Sequence, residues 1–220
     1  MYDNKPTKCL TGRVRLSYCH LTEPNNNYGG EPKYSVTLLI PKSDTATKAD
    51  IDAAMAAAAD NGVKGCWNGA RPTVFQNALI YDGDGVRPSG EKFGKECRGH
   101  WVITASSKTK PDVVHISNIR SQLLPTDIYS GMYARVTINF YPYNYHGNKG
   151  IGCGLGNVVK VDEGKPLGGR CSAASDFAGL ENAASQQYQP PAYAAPTQQY
   201  RQSAALDPIT GQPITGTYGF

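Results

Sequence analysis

The sequence has no long apolar segment and no recognisable export signal. No apolar run in its 220 residues approaches the roughly 20 that a membrane-spanning helix requires. Its start, MYDNKPTKCLTG, lacks the basic start and the apolar core of a secretion signal. With 40% hydrophobic and 18% charged residues, the composition is that of an ordinary globular protein. We therefore expect a cytoplasmic protein with no membrane partner.

The cysteines and histidines form no familiar metal or catalytic motif. Six cysteines are scattered without a C-x-x-C pair, and none stands at zinc-ligand spacing from a histidine. Free, mostly buried thiols explain them best, with a zinc site or a disulfide set as the alternative. No G-x-S-x-G or H-E-x-x-H occurs, and the four histidines are isolated. These absences favour a binding protein over an enzyme, and we expect no cofactor and no metal.

Positive charge is concentrated in the first part of the chain. Residues 1–170 hold 21 of the 22 Lys and Arg and 15 of the 18 Asp and Glu, which is a net charge of +6. Residues 171–220 hold one basic and three acidic residues, a net charge of −2. A mildly basic body suits a polyanionic partner such as nucleic acid.

The most informative stretch begins with a strict alternation. Five apolar side chains point to one side of a predicted strand: Met132, Ala134, Val136, Ile138 and Phe140. The opposite face is aromatic and basic, and it continues further if the chain stays extended: Tyr133, Arg135, Tyr141, Tyr143 and Tyr145. Rings presented by a rigid sheet can stack on unpaired bases of any sequence. Packing beneath a loop or a helix is the alternative, because tyrosine favours strands for packing reasons alone.

Shorter patterns predict a β-rich domain with one helix. Strands are predicted at 10–20, with Tyr18 on the inward side, and at 34–40, 100–106, 113–116 and 158–161. An alanine-rich helix over residues 43–61 is expected to end before Gly62. Several short strands without a βαβ rhythm favour a mostly β, OB-fold-like barrel with one helix. An up-and-down barrel and a β-sandwich are the alternatives.

Further basic and aromatic residues lie where such a barrel would expose them. The cations on predicted strands and turns are Arg13, Arg15, Arg135, Lys108, Lys110 and Lys149, of which Lys108 and Lys110 lie at a predicted hairpin tip. Trp101, on the strand at 100–106, adds a candidate stacking ring. Each cation can equally be a solvated surface charge, so its role depends on the rest of the fold.

The composition changes after residue 170. Residues 171–220 are dominated by Ala, Gln, Pro, Ser and Tyr, as in QQYQPPAYAAPTQQY. So few branched aliphatic residues cannot bury enough apolar surface, and we expect a disordered tail after a folded domain at 1–170. The aromatic Phe220 at the end of this tail is a candidate for docking in a partner's pocket.

Five segments in this order resemble a family of bacteriophage single-stranded-DNA-binding proteins with an OB-fold, long regarded as uncharacterised. The segments are YSVTLLIPKSD, ALIYDGDG, GHWVITASSKTKPDVV, IYSGMYARVTINFYPYN and GNKGIGCGLGNVVKV. The similarity covers residues 8–168, and the order IYSG, GNKGI, GLGNV is its most specific part. It implies sequence-independent binding of single-stranded DNA in phage replication, recombination or repair, without enzymatic activity.

The resemblance also implies partners, although it supplies no individual DNA contacts. Proteins of this kind often carry an acidic tail that contacts replication proteins and competes with DNA, whereas this tail has only three acidic residues. A homo-oligomer or a cooperative array on DNA is a further expectation. From side-chain chemistry we predict stacking by Trp101, Tyr133, Tyr141, Tyr143 and Tyr145. We predict phosphate contacts from Arg13, Arg15, Lys108, Lys110, Arg135 and Lys149.

Two other functions remain as alternatives. A phage virion or assembly protein would use the tyrosine face for protein contacts. A nuclease would need clustered carboxylates, and Asp82, Asp84 and Glu91 are the candidates close in sequence. The turn Asp82-Gly83-Asp84-Gly85 does not fit the EF-hand calcium template, because the next ligand position is Val86, whose side chain has no oxygen.

Overall fold

In the computed structural model, nine strands, one α-helix and two short 3₁₀ helices make up the described regular structure. The structure describes residues 5–26, 31–73, 75 and 78–168. The strands are β1 (Lys8–Leu10), β2 (Val14–Asn25), β3 (Lys33–Pro41), β4 (Ile80–Asp82), β5 (His100–Ser107), β6 (Val113–His115), β7 (Asn118–Gln122), β8 (Tyr133–Tyr145) and β9 (Asn148–Asp162). The helices are α1 (Thr45–Lys64) and the 3₁₀ turns Lys95–Cys97 and Pro125–Asp127. The predicted tail and Phe220 lie outside the described residues.

Five strands pair edge to edge into a closed ring. Their order is β2, β3, β5, β9, β8, and β8 pairs again with β2. All neighbours in the ring are antiparallel except β5 and β9, which are parallel. β1 extends the sheet beside β8, and β6 and β7 extend it beside β9. This architecture confirms the prediction of a mostly β, OB-fold-like protein with one helix.

Alternate side chains of the ring strands fill the interior. The predicted inward residues of the β8 stretch are all buried, none more than 1% exposed: Met132, Ala134, Val136, Ile138 and Phe140. Burying a side chain the size of valine or isoleucine contributes about 1.5–3 kcal/mol, and a one-residue slip would exchange the two faces. The register of β8 is therefore strongly determined, and its tyrosines are held on the outside of the ring.

Helix α1 covers the ring beside β8 and β1. Asp44 caps it by accepting a hydrogen bond from the Thr47 N–H at 3.0 Å, and Thr47 Oγ1 accepts another from the Gly12 N–H at 2.7 Å. The predicted end before Gly62 is wrong, because the helix continues to Lys64. Gly62 instead makes room for Trp67, since a Cβ there would lie 2.6 Å from the indole Cδ2. Of the helices in the described part of the chain, none is long and apolar enough to cross a membrane.

Strand β2 departs from the predicted alternation after Ser17. Val14 and Leu16 are buried as predicted, whereas Tyr18 has φ 47° and is 58% exposed. The register of β2 against β3 shifts between Ser17 and His20, as at a β-bulge. The prediction that Tyr18 faces inward is therefore wrong, and the bulge turns its ring to the outer face.

The cysteines of the described residues are free thiols. Three of the five are buried: Cys9, Cys97 and Cys153. Burial raises the pKa of the Cys9 thiol to about 11 and that of Cys19 to about 12. Thiols with such pKa values are unreactive at neutral pH, so we assign them to packing.

Candidate nucleic-acid interface

Strands β8 and β9 continue past the ring as a two-stranded arm, which we define as residues 141–152. The register of this arm pairs Tyr141 with Gly152, Tyr143 with Gly150 and Tyr145 with Asn148. Its turn is His146-Gly147, with φ values of 49° and 84°. Two positive φ values are what a type I′ turn needs, and such a turn matches the twist of the strands it joins. The arm is thus a stiff extension of the sheet.

The outer face of the arm carries three of the predicted stacking tyrosines. Tyr141 is 44% exposed and Tyr145 is 70% exposed, while Tyr143 is half-buried. The Tyr145 and His146 rings are arranged edge to face, with their centres 4.2 Å apart. Burial raises the pKa of the Tyr141 phenol above its ordinary 10.0, with smaller contributions from Cys153 and Tyr143. The Tyr141 phenol is therefore neutral at physiological pH, and the exposed rings of the arm are available for stacking on bases.

The inner face of the arm is held by the residues that follow α1. The fully buried Trp67 donates its indole N–H to the Tyr143 carbonyl at 2.9 Å. The Asn144 side-chain amide donates to the Cys66 carbonyl at 3.0 Å. Lys149 Nζ donates to the Trp67 carbonyl at 2.8 Å. Because Lys149 pairs with Asn144, it lies on the face opposite the tyrosines, and the structure does not support its predicted place beside them.

At the other end of β8, the structure covers Tyr133. The guanidinium carbon of Arg13 lies 3.6 Å from the centre of the ring, and Arg13 is itself paired with Asp162 at 2.8 Å. A Cβ on Gly164 would lie 3.1 Å from Tyr133 Cε2, so the chain near Gly164 is also close. Tyr133 is therefore not an open stacking ring and Arg13 is not a free cation, contrary to the prediction from sequence.

The two other predicted arginines of this region differ in their availability. Arg15 donates to the Gly131 carbonyl at 3.3 Å and to the Lys165 carbonyl at 2.6 Å, so it anchors backbone. Arg135 is exposed and uses only Nε, which donates to the Thr11 carbonyl at 3.0 Å. Arg135 thus keeps further guanidinium N–H groups for a phosphate, whereas Arg15 is engaged.

Trp101 and the two lysines after β5 do not join the tyrosines. Trp101 packs against the core, with Lys42 Nζ and Lys48 Nζ at 5.1 and 5.3 Å from the ring centre. Lys108 forms an ion pair with Glu31. Lys110 is exposed, but it lies in the connection to β6 rather than at a hairpin tip.

The predicted hairpin between β5 and β6 is wrong. Both strands run parallel to β9, Ser106 pairing with Gly154 and Val113 with Val158. The chain therefore passes along one side of β9 without reversing. Within the described residues, the antiparallel neighbours of β5 are β3 and β4, and the antiparallel neighbour of β6 is β7.

A cleft of about 560 Å³ opens on the outer face of β2, β3 and β5. Its walls include aromatic and basic side chains that were not among the predicted contacts: Tyr18, His20, Tyr81, Arg87 and Phe93. The Arg87 guanidinium lies 5.4 Å from the centre of the Phe93 ring, which lies 6.1 Å from that of Tyr81. In the described part of the chain, no Asp or Glu lines this cleft and Arg87 has no ion pair.

The wall of the cleft comes from the least regular part of the sequence. Residues 86–92 form a small hairpin, closed by a bridge between Val86 and Lys92. No hydrophobic period marks this stretch, because Gly, Pro and charged residues interrupt it. The available signal was the mixture of aromatic and basic residues between Tyr81 and Phe93.

A floor of small polar side chains connects the cleft with the arm. We use the name floor for Ser35, Thr37, Thr104 and Ser106, which share the outer face of β3 and β5. Partner positions run in one line across all five ring strands: Asn139, Gly154, Ser106, Ser35 and His20. Four strand spacings give this line a length of about 19 Å. The outer surface is thus shallow between two aromatic walls.

Two of the three carboxylates suggested for a nuclease, Asp82 and Asp84, are already engaged. Lys42 Nζ lies 2.6 Å from Asp82 Oδ1 and 2.7 Å from Asp84 Oδ2. Its hydrogen bonds hold the pKa of each of these carboxyls below the ordinary range. Among the described residues, no three His, Cys, Asp or Glu side chains are grouped so that they could hold a metal ion. The geometry offers a nuclease no metal cluster in this part of the chain.

Comparison with known proteins decides the family. The sequence model of a family described as Enterobacter phage Enc34, ssDNA-binding protein, matches residues 7–188. The chain belongs to this family. The predicted membership in a phage family of single-stranded-DNA-binding proteins is confirmed. Because the function of the Enc34 family is binding, the prediction of a non-enzymatic protein is confirmed as well.

Individual relatives agree with this assignment. The single-stranded DNA-binding protein from bacteriophage Enc34, solved in complex with single-stranded DNA, is 33% identical with a TM-score of 0.63. That similarity covers 74% of this chain and 91% of the Enc34 chain. Protein p50 of Acyrthosiphon pisum secondary endosymbiont phage 1 is 27% identical over 186 residues, which is 80% of this chain and 95% of p50.

A more distant structure shares the fold. The single-stranded DNA-binding protein gp2.5 of bacteriophage T7 is 13% identical, with a TM-score of 0.50. The similarity covers 86% of this chain and 98% of gp2.5. At this identity the similarity shows a common fold only. The candidate site of the present protein is therefore argued from its own residues.

Proposed function

We propose that this protein binds single-stranded DNA without sequence preference, along the outer face of the ring from the cleft to the arm. The observation that carries the proposal is the floor, which joins a basic, aromatic cleft to the open tyrosines of the arm. An OB-fold uses the face of its second and third strands and the loop between its fourth and fifth strands for oligonucleotides. In the ring these are β3, β5 and the turn of the arm.

Stacking supplies the affinity that does not depend on sequence. Tyr141 and Tyr143 offer rings at one end of the path, and Phe93 and Tyr81 offer rings at the other. Every base has a π face, and each base stacked on an aromatic ring contributes about 1–3 kcal/mol. The small hydroxyl side chains of the floor leave room for a strand to pass.

Phosphate contacts supply the salt-dependent part of the affinity. Arg87 at the cleft and Arg135 on β8 have guanidinium groups that no acidic side chain of the described residues neutralises. Each phosphate contact on a single strand steepens the log–log dependence of the binding constant on salt by about 0.7. The predicted phosphate contact of Lys110 stays a prediction, because this lysine has no defined place along the path.

A fluorescence anisotropy titration tests the proposal. Labelled oligo-dT, a mixed-sequence oligonucleotide and the corresponding duplex are titrated at low and high salt. We expect similar, salt-sensitive affinities for the two single strands. Absence of salt-sensitive DNA binding, together with self-association, would contradict the proposal and favour the virion or assembly alternative.

The biological setting belongs to the same proposal. Sequence-independent coating suits protection of phage single strands during replication, recombination or repair in the cytoplasm of the infected cell. Contacts of the tail, including Phe220, with replication or recombination proteins are proposed, as is a homo-oligomer or a cooperative array on DNA. Deleting residues 171–220 and measuring both DNA affinity and capture of host or phage replication proteins tests the tail.

A further inference from the structure

We propose that Gly152 and Gly150 are positioning residues for DNA binding, because their missing side chains let Tyr141 and Tyr143 lie flat on the arm with one ring face open to a base. This inference rests on the proposed function of the arm and adds the residues that orient its rings.

The glycines stand directly opposite the tyrosines. In the register of the arm, Tyr141 pairs with Gly152 and Tyr143 with Gly150. A Cβ on Gly152 would lie 2.7 Å from both Cε2 and Oη of Tyr141. A Cβ on Gly150 would lie 2.8 Å from Cε1 of Tyr143. Real Cβ atoms essentially never approach closer than 3.0 Å, so the rings occupy the space that side chains would fill.

The orientation of the Tyr141 ring follows from its two edges. One edge, at Cε2, lies over Gly152, while Cε1 and Cδ1 on the other edge lie 3.8 and 3.9 Å from a Cβ built on Gly154. The width of the ring therefore runs along β9. Its long axis runs from β8 across to β9, because the hydroxyl reaches Gly152. A plane that contains both directions is parallel to the sheet, so the ring lies down and its outer face meets solvent.

This orientation is unusual for a strand, where side chains stand roughly perpendicular to the sheet. Glycine within a strand weakens the pairing, yet β9 has glycine at four alternate outer positions: 150, 152, 154 and 156. Close approach of another group is one reason for a strand to keep glycine. At positions 150 and 152 that group is a tyrosine ring.

Flat rings and upright rings predict different DNA binding. Tyr141 and Tyr143 are two residues apart, about 6.8 Å along the strand. Upright rings at that spacing would form a slot for one base held between them. Flat rings offer one face each, so each ring holds its own base and the two contributions are independent.

Nuclear magnetic resonance of the free protein tests the ring orientation. The resonance of a proton beneath the face of an aromatic ring is shifted upfield. We therefore expect the Hα resonances of Gly152 to lie upfield of those of a glycine that no ring covers. The shift should disappear in the Tyr141→Ala variant and persist in Tyr143→Ala. Hα resonances of Gly152 that do not change in Tyr141→Ala would overturn the inference.

A double-mutant cycle tests the consequence for binding. We expect Gly152→Ala to weaken oligo-dT binding about tenfold in the otherwise natural protein. We expect no further loss in a Tyr141→Ala background and the full loss in a Tyr143→Ala background. Gly150→Ala should show the reverse pattern. Gly154→Ala, whose Cβ would meet Tyr141 only at 3.8 Å, measures the effect of a methyl group on the folding of the same strand.

The outcomes separate this inference from the proposed function. If Tyr141→Ala loses affinity for oligo-dT and Gly152→Ala does not, the positioning role is overturned and the proposed function stays intact. Equal losses on Gly152→Ala in both tyrosine backgrounds would also overturn it. If Tyr141→Ala binds like the natural protein, this ring is not part of the site and the inference fails, whereas the binding of single-stranded DNA is tested separately by the anisotropy titration. If circular dichroism shows that Gly152→Ala does not fold, the resonance shift decides alone.

Discussion

The two ends of β8 carry the same kind of side chain on the same outer face, yet the structure treats them differently. At one end, Arg13 lies on the Tyr133 ring and is paired with Asp162. At the other, about 26 Å along the strand, Tyr141 lies over a glycine and leaves its second face in solvent.

The difference arises from the neighbours and not from the strand itself. Tyr133 is adjacent to Arg15 of β2 and to Arg13 just before that strand, and the end of β9 supplies Asp162. In the register of the arm, Tyr141 and Tyr143 stand opposite glycines of β9. An aromatic residue on an outer face therefore becomes a binding surface only where the partner strand leaves its ring uncovered.

The largest expected effect concerns the support of the arm. Trp67→Ala should lower the free energy of unfolding by about 3–5 kcal/mol, because it empties the site against Gly62 and removes the hydrogen bond to the Tyr143 carbonyl. Urea denaturation measures this loss. Trp101→Ala, at the half-buried second tryptophan, is the matched control and should cost less. Equal losses of unfolding free energy in the two variants would contradict the special role assigned to the contacts of Trp67.

The second effect contrasts the two ends directly. The double variant Tyr141→Ala/Tyr143→Ala should weaken oligo-dT binding about a hundredfold, since each stacked base contributes about 1–3 kcal/mol and 1.4 kcal/mol is about tenfold. Tyr133→Ala should change the affinity by less than about threefold, because its ring is covered. Anisotropy titration under one salt condition gives both values. A loss of oligo-dT affinity in Tyr133→Ala as large as that in Tyr141→Ala or Tyr143→Ala would contradict this contrast between the two ends of β8.

The third effect concerns the cations. Arg87→Ala and Arg135→Ala should each reduce the steepness of the log–log salt dependence by about 0.7. Arg13→Ala should leave the slope unchanged, because Asp162 already neutralises that guanidinium. Binding constants measured over a series of salt concentrations supply the slopes. A flatter slope for Arg13→Ala would place DNA at the covered end of β8.

The smallest effect is the titration of Asp162. The hydrogen bond from Arg13, with help from the Glu163 N–H, holds the pKa of this carboxyl below its ordinary 3.8. The folded-state pKa is lowered, so the pair is fully present above 3.8 and is lost as the pH falls through the lowered value. Carbon-detected NMR should show this titration. In Arg13→Ala the pKa should return towards 3.8, and an unchanged value would mean that the pair is absent in solution.

Much of the fold was predictable because it depends on local alternation. The inward side of β8 and the strand at Lys33–Pro41 follow a period of two, which one buried face imposes on any strand. The cap of α1 at Asp44 follows from residue type, because aspartate is favoured at helix N-termini. The bulge at Tyr18 was not predictable, since nothing in the local pattern marks an inserted residue.

The candidate site was predictable only in part. The tyrosines of the arm were found because they continue the period of β8. The cover on Tyr133 was missed because Arg13 and Asp162 lie 149 positions apart, and the cleft was missed because residues 83–99 have no period. Lys149 resembled a phosphate contact in the sequence, but register with Asn144 turns it towards Trp67.

By itself, the sequence determined a β-rich domain, one helix, the inward side of β8 and membership in a family of DNA-binding phage proteins. The tertiary structure decided which rings are open, which cations are free and where the cleft lies. Side-chain direction along a strand is a local property of backbone geometry, whereas exposure depends on which distant strand is the neighbour. Closure of the ring brings those strands together, and no segment read alone contains that information.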